Sequence, residues 1–176
     1  MRFTDHLPVD GVIPSLWARD RSGVLHELSQ TLAHQTQAPA GRIEQLLAGR
    51  ERICSTAIGQ GVAIPHCRVE GLRRSSACVA LHPVGVDFGA RDGQPVHLIV
   101  SLVSPEYAAG PHLRLLARIA ALLRDARLRQ ALLEAPSATV LRALLVRAET
   151  GYVLAHQSRS EAYSGAHSGS HSDSHI

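Results

Sequence analysis

A chain of 176 residues with 45% apolar content has room for one ordinary domain and its core plus a short appendage, and not for two large domains. Its formal charge of +3 comes from 18 basic residues, every one arginine, against 15 acidic ones, and its aromatics are two Phe, one Trp and three Tyr. So small a surplus with so few rings excludes the concentrated basic, stacking face that nucleic acids require.

In chain order, Val12 to Leu16 is a short strand candidate interrupted by Pro14. A helix opens near Ser22, whose hydroxyl suits the N-cap, with Val24, Leu25, Leu28 and Leu32 at helical spacing. A second helix from about Gly41 buries Ile43, Leu46 and Leu47 and ends at Arg50-Glu51-Arg52. Cys78 to Leu81 and Leu98 to Val103 read as strands, the second so continuously apolar that it is expected to be covered on both faces. The segment Gly85 to Pro95 between them carries turn chemistry. From Pro111 an amphipathic helix places Leu113, Leu116, Ile119, Ala120 and Leu123 on one stripe. Asp125 caps a short helix through Leu133, and Ser137 caps a last one with Val140, Leu141, Leu144 and Leu145. This order predicts a single α/β (α+β) domain with a central mixed sheet flanked by helices.

Residues 1–147 make up that domain, and 148–176 are expected to form a flexible tail rich in Ser, Gly and His. The tail histidines recur every four residues, so weak Zn or Ni binding is an alternative to a solubilising end, although no metal is assigned. The apolar run at Leu98 to Val103 is far short of the ~20 residues that span a bilayer, so the chain is not expected to be membrane-embedded. Cys54, Cys67 and Cys78 are odd in number and form no C-x-x-C pair, which fits a reducing cytoplasm. Cys67 adjoins a protonatable ring and is the one thiol whose pKa a neighbour would lower.

That ring is His66, delivered by Cys54-Ser55-Thr56-Ala57-Ile58-Gly59-Gln60-Gly61-Val62-Ala63-Ile64-Pro65-His66-Cys67. Small residues and hydroxyls lead through a short strand into Pro65, which fixes its own backbone angle just before the imidazole. A neutral imidazole can take a phosphoryl group and give it away again, because its pKa lies close to the working pH. Arg50 at the helix exit offers a planar fork for phosphate. His112 sits at a helix start that favours anions. Ser55 and Thr56 supply hydroxyl donors, while Gly59 and Gly61 allow close backbone approach. As a group they suit phosphoryl transfer, which is mainly a matter of position and electrostatics.

Arg50-Glu51-Arg52, Ser55-Thr56, Gly59, Gly61 and Ala63-Ile64-Pro65-His66 resemble the active-site signature of the IIA domains of the bacterial sugar phosphotransferase system. Within that group they are similar to the nitrogen-related, fructose/mannitol-type branch, as are Asp92-Gly93-Gln94-Pro95-Val96 and Gly110-Pro111-His112-Leu113. The resemblance implies that His66 is phosphorylated, with His112 and Arg50 around it. It also implies a histidine phosphocarrier protein as donor, no cofactor, and regulation of partners such as kinases or potassium transporters. A sugar-specific IIA passing phosphate to a IIB domain and a non-transferring binding module are the alternatives. Cys67 departs from the glycine that usually follows the active histidine.

Overall fold

The computed structural model describes residues 2–167, and the His-rich run beyond His167 lies outside them. After two 3-10 turns, Phe3–His6 and Val9–Gly11, the order is β1 (Val12–Ile13), α1 (Arg21–Thr36), α2 (Ala40–Ile53), β2 (Ala57–Gly59), β3 (Val62–Ala63) and β4 (His66–Val69). There follow β5 (Ser76–Val86), β6 (Val96–Pro105), α3 (Ala109–Leu122), α4 (Ala126–Leu133) and α5 (Ala138–His167). The sheet runs β1-β5-β6-β3-β2, and β4 also pairs with β6. The β5–β6 and β2–β3 pairs are antiparallel, whereas β1–β5, β3–β6 and β4–β6 are parallel, so the sheet is mixed as expected.

Strand β6 is the spine, and alternation along it feeds two separate cores. Leu98, Val100 and Leu102 pack with Leu115, Ile119, Leu132, Leu141 and Leu145 of α3, α4 and α5. Ile99 and Val103 pack with Val24, Leu28, Leu32, Ile43 and Leu47 of α1 and α2. Helices therefore cover both faces, which explains the unbroken apolar run.

Three details differ from the sequence reading. Asp20, not Ser22, caps α1: its backbone is extended and its carboxylate accepts from the Gly23 amide at 2.8 Å. Helix α3 keeps Leu116, Ile119, Ala120 and Leu123 of the expected stripe against the core, but Leu113 is 64% exposed and the stripe also takes in His112, Leu115 and Leu122. The buried face is thus wider by one position on its N-terminal side, which brings His112 against Ser104 of the sheet. Helix α5 runs on past the expected boundary at 147, through Gly151 to His167. Tertiary contacts override the roughly 1 kcal/mol cost of a helical glycine: Tyr152 packs on the core beneath the Arg118 guanidinium, 4.6 Å from the ring centroid. Glu149 is fully buried, accepting from the amides of Phe3 and Thr4 and from the Thr4 hydroxyl. Among the described residues no helix is long and apolar enough to cross a membrane.

Candidate functional site: an imidazole held between an arginine and a second histidine

Pairing along β6 sets His66 at the start of β4, opposite Leu102, and the Pro65 carbonyl just before it accepts from both the Leu102 amide and the Ser101 hydroxyl. The ring is held at both nitrogens. Its Nδ1 lies 2.7 Å from the Ile64 carbonyl, which can only accept, so Nδ1 carries the proton. The Arg50 Nε–H, which can only donate, reaches Nε2 at 3.2 Å, so a lone pair sits there. Burial depresses the His66 pKa; the hydrogen bond to the Ile64 carbonyl offsets part of that, the Arg50 charge lowers it further and Glu51 opposes Arg50, leaving a net downward shift. At neutral pH this is an uncharged imidazole with its Nε2 electron pair pointing at a guanidinium.

Arg50 folds back from the last turn of α2, as the sequence suggests. Its Nη1 donates to the Cys54 carbonyl at 2.8 Å, which satisfies one of the free carbonyls at the helix end. Opposite stands His112, with ring centroids 5.5 Å apart and a tilt of 50°. His112 is only 6% exposed. Burial first, then the His66 ring and Arg68, lower its pKa to about 4.

The other expected phosphate ligands are engaged elsewhere. The Ser55 hydroxyl donates to the Phe88 carbonyl at 2.6 Å and accepts from the Ala57 amide. The Thr56 hydroxyl donates to Glu51 at 2.6 Å, as does its amide at 3.1 Å. Gly59 and Gly61, with φ of +86° and +74°, build the β2–β3 turn, where added side chains would meet Asp92 and Pro95. Val62 pairs with Leu98 and His66 with Leu102, so the turn lies about 13 Å from His66 along β6. Asp92 ties it down by accepting from the Gln60 amide at 2.7 Å. These four residues shape the loop that presents His66. The sequence reading missed Glu51, a buried carboxylate near the Arg21 guanidinium at 3.7 Å that organises the loop's first residues.

Cys67 does not behave as expected from its neighbour. Its side chain is buried on the far side of β4, and burial pushes its thiol up to about 12. The larger cavity, about 680 Å³, is walled by residues such as Asp5, His34 and Arg73 and lacks His66 and Arg50. The imidazole itself is half-buried. Among the described residues, no cluster of three or more His, Cys, Asp or Glu side chains is placed to hold a metal.

The depressed imidazoles make folding sensitive to acid. Between pH 6.5 and about 4 the unfolded chain binds a proton at His112 that the native chain does not, so stability falls as pH drops through that window. From this group alone, about 2 kcal/mol is expected to be lost between pH 7 and pH 5. Denaturant titrations at both pH values measure it, and His112→Gln is expected to flatten the dependence.

The chain matches the family model for the phosphoenolpyruvate-dependent sugar phosphotransferase system, EIIA 2, over residues 5–148. It belongs to that family. Among EIIA 2 relatives, the nitrogen regulatory protein of Bradyrhizobium diazoefficiens is 38% identical over 125 residues, covering 71% of this chain and 82% of the relative. That of Pseudomonas aeruginosa is 39% identical over 129 residues, covering 73% and 84%. The crystal structure of nitrogen regulatory protein IIA-Ntr from Neisseria meningitidis superposes with a TM-score of 0.77 at 31% identity, covering 81% of this chain and 97% of that one. Mannitol IIA from Escherichia coli, at 18% identity and a TM-score of 0.67, shares the EIIA 2 fold. The sequence resemblance thus extends to the whole domain and to its nitrogen-related branch.

Proposed function

We propose that this EIIA 2 domain is a phosphoryl carrier that receives its phosphoryl group on His66 Nε2 and regulates partner proteins by its phosphorylation state. The observation that carries this reading is the split of the His66 nitrogens: Nδ1–H is committed to Ile64, and the Nε2 lone pair is oriented toward Arg50. A phosphohistidine carrier protein is the donor, as in the system after which the family is named. Attack by Nε2 on phosphorus forms the new N–P bond while the donor's N–P bond breaks, and the electron pair returns to the donor imidazole. No proton need move, because Nδ1–H stays on Ile64.

Arg50 occupies in the uncharged state the direction the phosphoryl group takes in the charged one. It must swing off Nε2, and its fork then meets the phosphoryl oxygens, supplying charge where the transition state spreads it. His112, uncharged at neutral pH, contributes a hydrogen bond from the other side. A ring that is only half-buried suits a donor that is itself a folded protein, since two imidazoles must approach within a phosphoryl group's width. The nitrogen-related relatives favour control of nitrogen metabolism over direct sugar uptake.

The test is incubation with phosphoenolpyruvate, the first enzyme of the system and its histidine phosphocarrier. The reading predicts stoichiometric, acid-labile and alkali-stable label. An unlabelled wild-type protein under conditions that charge the carrier would instead support a non-transferring binding module. Transfer of the label onward to a IIB domain would favour a sugar-specific role.

A further inference from the structure

Ser104, in β6, is fully buried on the sheet face beneath His112. Its Oγ lies 2.9 Å from His112 Nδ1, and it also lies 2.9 Å from the hydroxyl of half-buried Ser75, which donates to it. An oxygen that accepts the Ser75 proton keeps its own to give, and His112 Nδ1 stands where that proton points. Nδ1 is then the bare nitrogen, and the neutral ring carries its proton on Nε2. Nε2 makes no hydrogen bond to any described residue and is reached by solvent, on the ring that faces His66.

We infer that Ser104, oriented by Ser75, is a positioning residue that selects the Nε2–H form of His112 and so turns a donor toward the phosphoryl group on His66. The inference rests on the phosphoryl-carrier reading for its consequence and not for its geometry. Without the serine pair the ring would populate both tautomers and both flips. In the wrong tautomer a lone pair would oppose the phosphoryl oxygens. A neighbouring cation, Arg68, donates to the Glu106 carbonyl at 2.7 Å and leaves the His112 nitrogens to the serine and to the site.

Nitrogen-15 NMR of the uncharged full chain at neutral pH reads the tautomer directly. The wild type is expected to show His112 with protonated Nε2 and bare Nδ1. Ser104→Ala is expected to show an averaged pair of shifts and roughly tenfold slower phosphoryl uptake, a fraction of what losing a whole oxyanion donor costs. Ser104→Thr, which keeps the hydroxyl, should restore both. Ser75→Ala leaves the buried serine in place and should move the shifts in the same direction, so the test survives if Ser104→Ala fails to fold. A wild-type His112 protonated on Nδ1, or unchanged shifts and uptake in folded Ser104→Ala and Ser75→Ala, would overturn the inference. A wild type with the expected tautomer that takes no phosphoryl group would overturn the carrier reading instead.

Discussion

Replacing His66 by alanine is expected to remove all phosphoenolpyruvate-dependent label while leaving the fold intact. The ring is half-buried, and its main-chain neighbours are secured independently: the Pro65 carbonyl by Leu102 and Ser101, and β4 by its pairing with β6. The nucleophile disappears and the scaffold does not. Arg50→Ala should keep the nucleophile and slow its loading by roughly a hundredfold, the scale of removing one preorganised donor from a developing charge. Arg50→Lys should recover little, because a point charge cannot make the two-pronged contact. Removing the Arg50 charge should also raise the His66 pKa, since that charge helps to hold it down. Rapid-quench loading and an NMR titration of the His66 ring give these two readouts separately. Label of wild-type amount on His66→Ala would mean that another residue is the acceptor.

The second large effect concerns the fold. Glu149→Ala is expected to destabilise the protein by about 3–5 kcal/mol, the range for breaking a buried charge arrangement. The carboxylate is fully buried and takes three hydrogen bonds from Phe3 and Thr4, fastening the N-terminal turn to α5. It also lies 4.0 Å from Arg118 Nη1, a buried group without a hydrogen bond of its own. Removing it strands that guanidinium and two buried amides at once. Ending the chain after Arg147 removes the same carboxylate together with Tyr152, so truncation there should destabilise at least as much. Urea unfolding of both variants measures the effect. A loss below 0.5 kcal/mol, the scale of an ordinary surface change, would contradict it.

The Glu149 contacts also mark where sequence reasoning stops. Composition shifts after Gly151, and from that shift alone a tail starting at 148 is the natural reading. The buried carboxylate and the Arg118–Tyr152 contact join residues far apart in the chain, and no local pattern announces them. Glu51 and Ser104 escaped for the same reason, since a Glu in a helix and a Ser in a strand acquire a partner only when the chain closes. What was legible was local. The Pro65-His66 dipeptide, the Asp125 cap and the two-sided apolar run of β6 each carry their cause within a few residues. The hydroxyls and glycines of the loop were legible as a group but not by role: Ser55 and Thr56 spend their protons on Phe88 and Glu51, and the glycines serve a turn. The burial of Cys67 follows from strand alternation, which sets it on the face opposite the His66 ring.

Only one nitrogen of the His66 imidazole, Nε2, has a lone pair to attack with once Arg50 moves aside. Phosphorus-31 NMR of the charged protein distinguishes phosphate on Nε2 from phosphate on Nδ1. Because Ile64 holds Nδ1–H, a single phosphohistidine signal of the Nε2 type is expected, absent from His66→Ala. A signal of the Nδ1 type, or one that persists in His66→Ala, would contradict it.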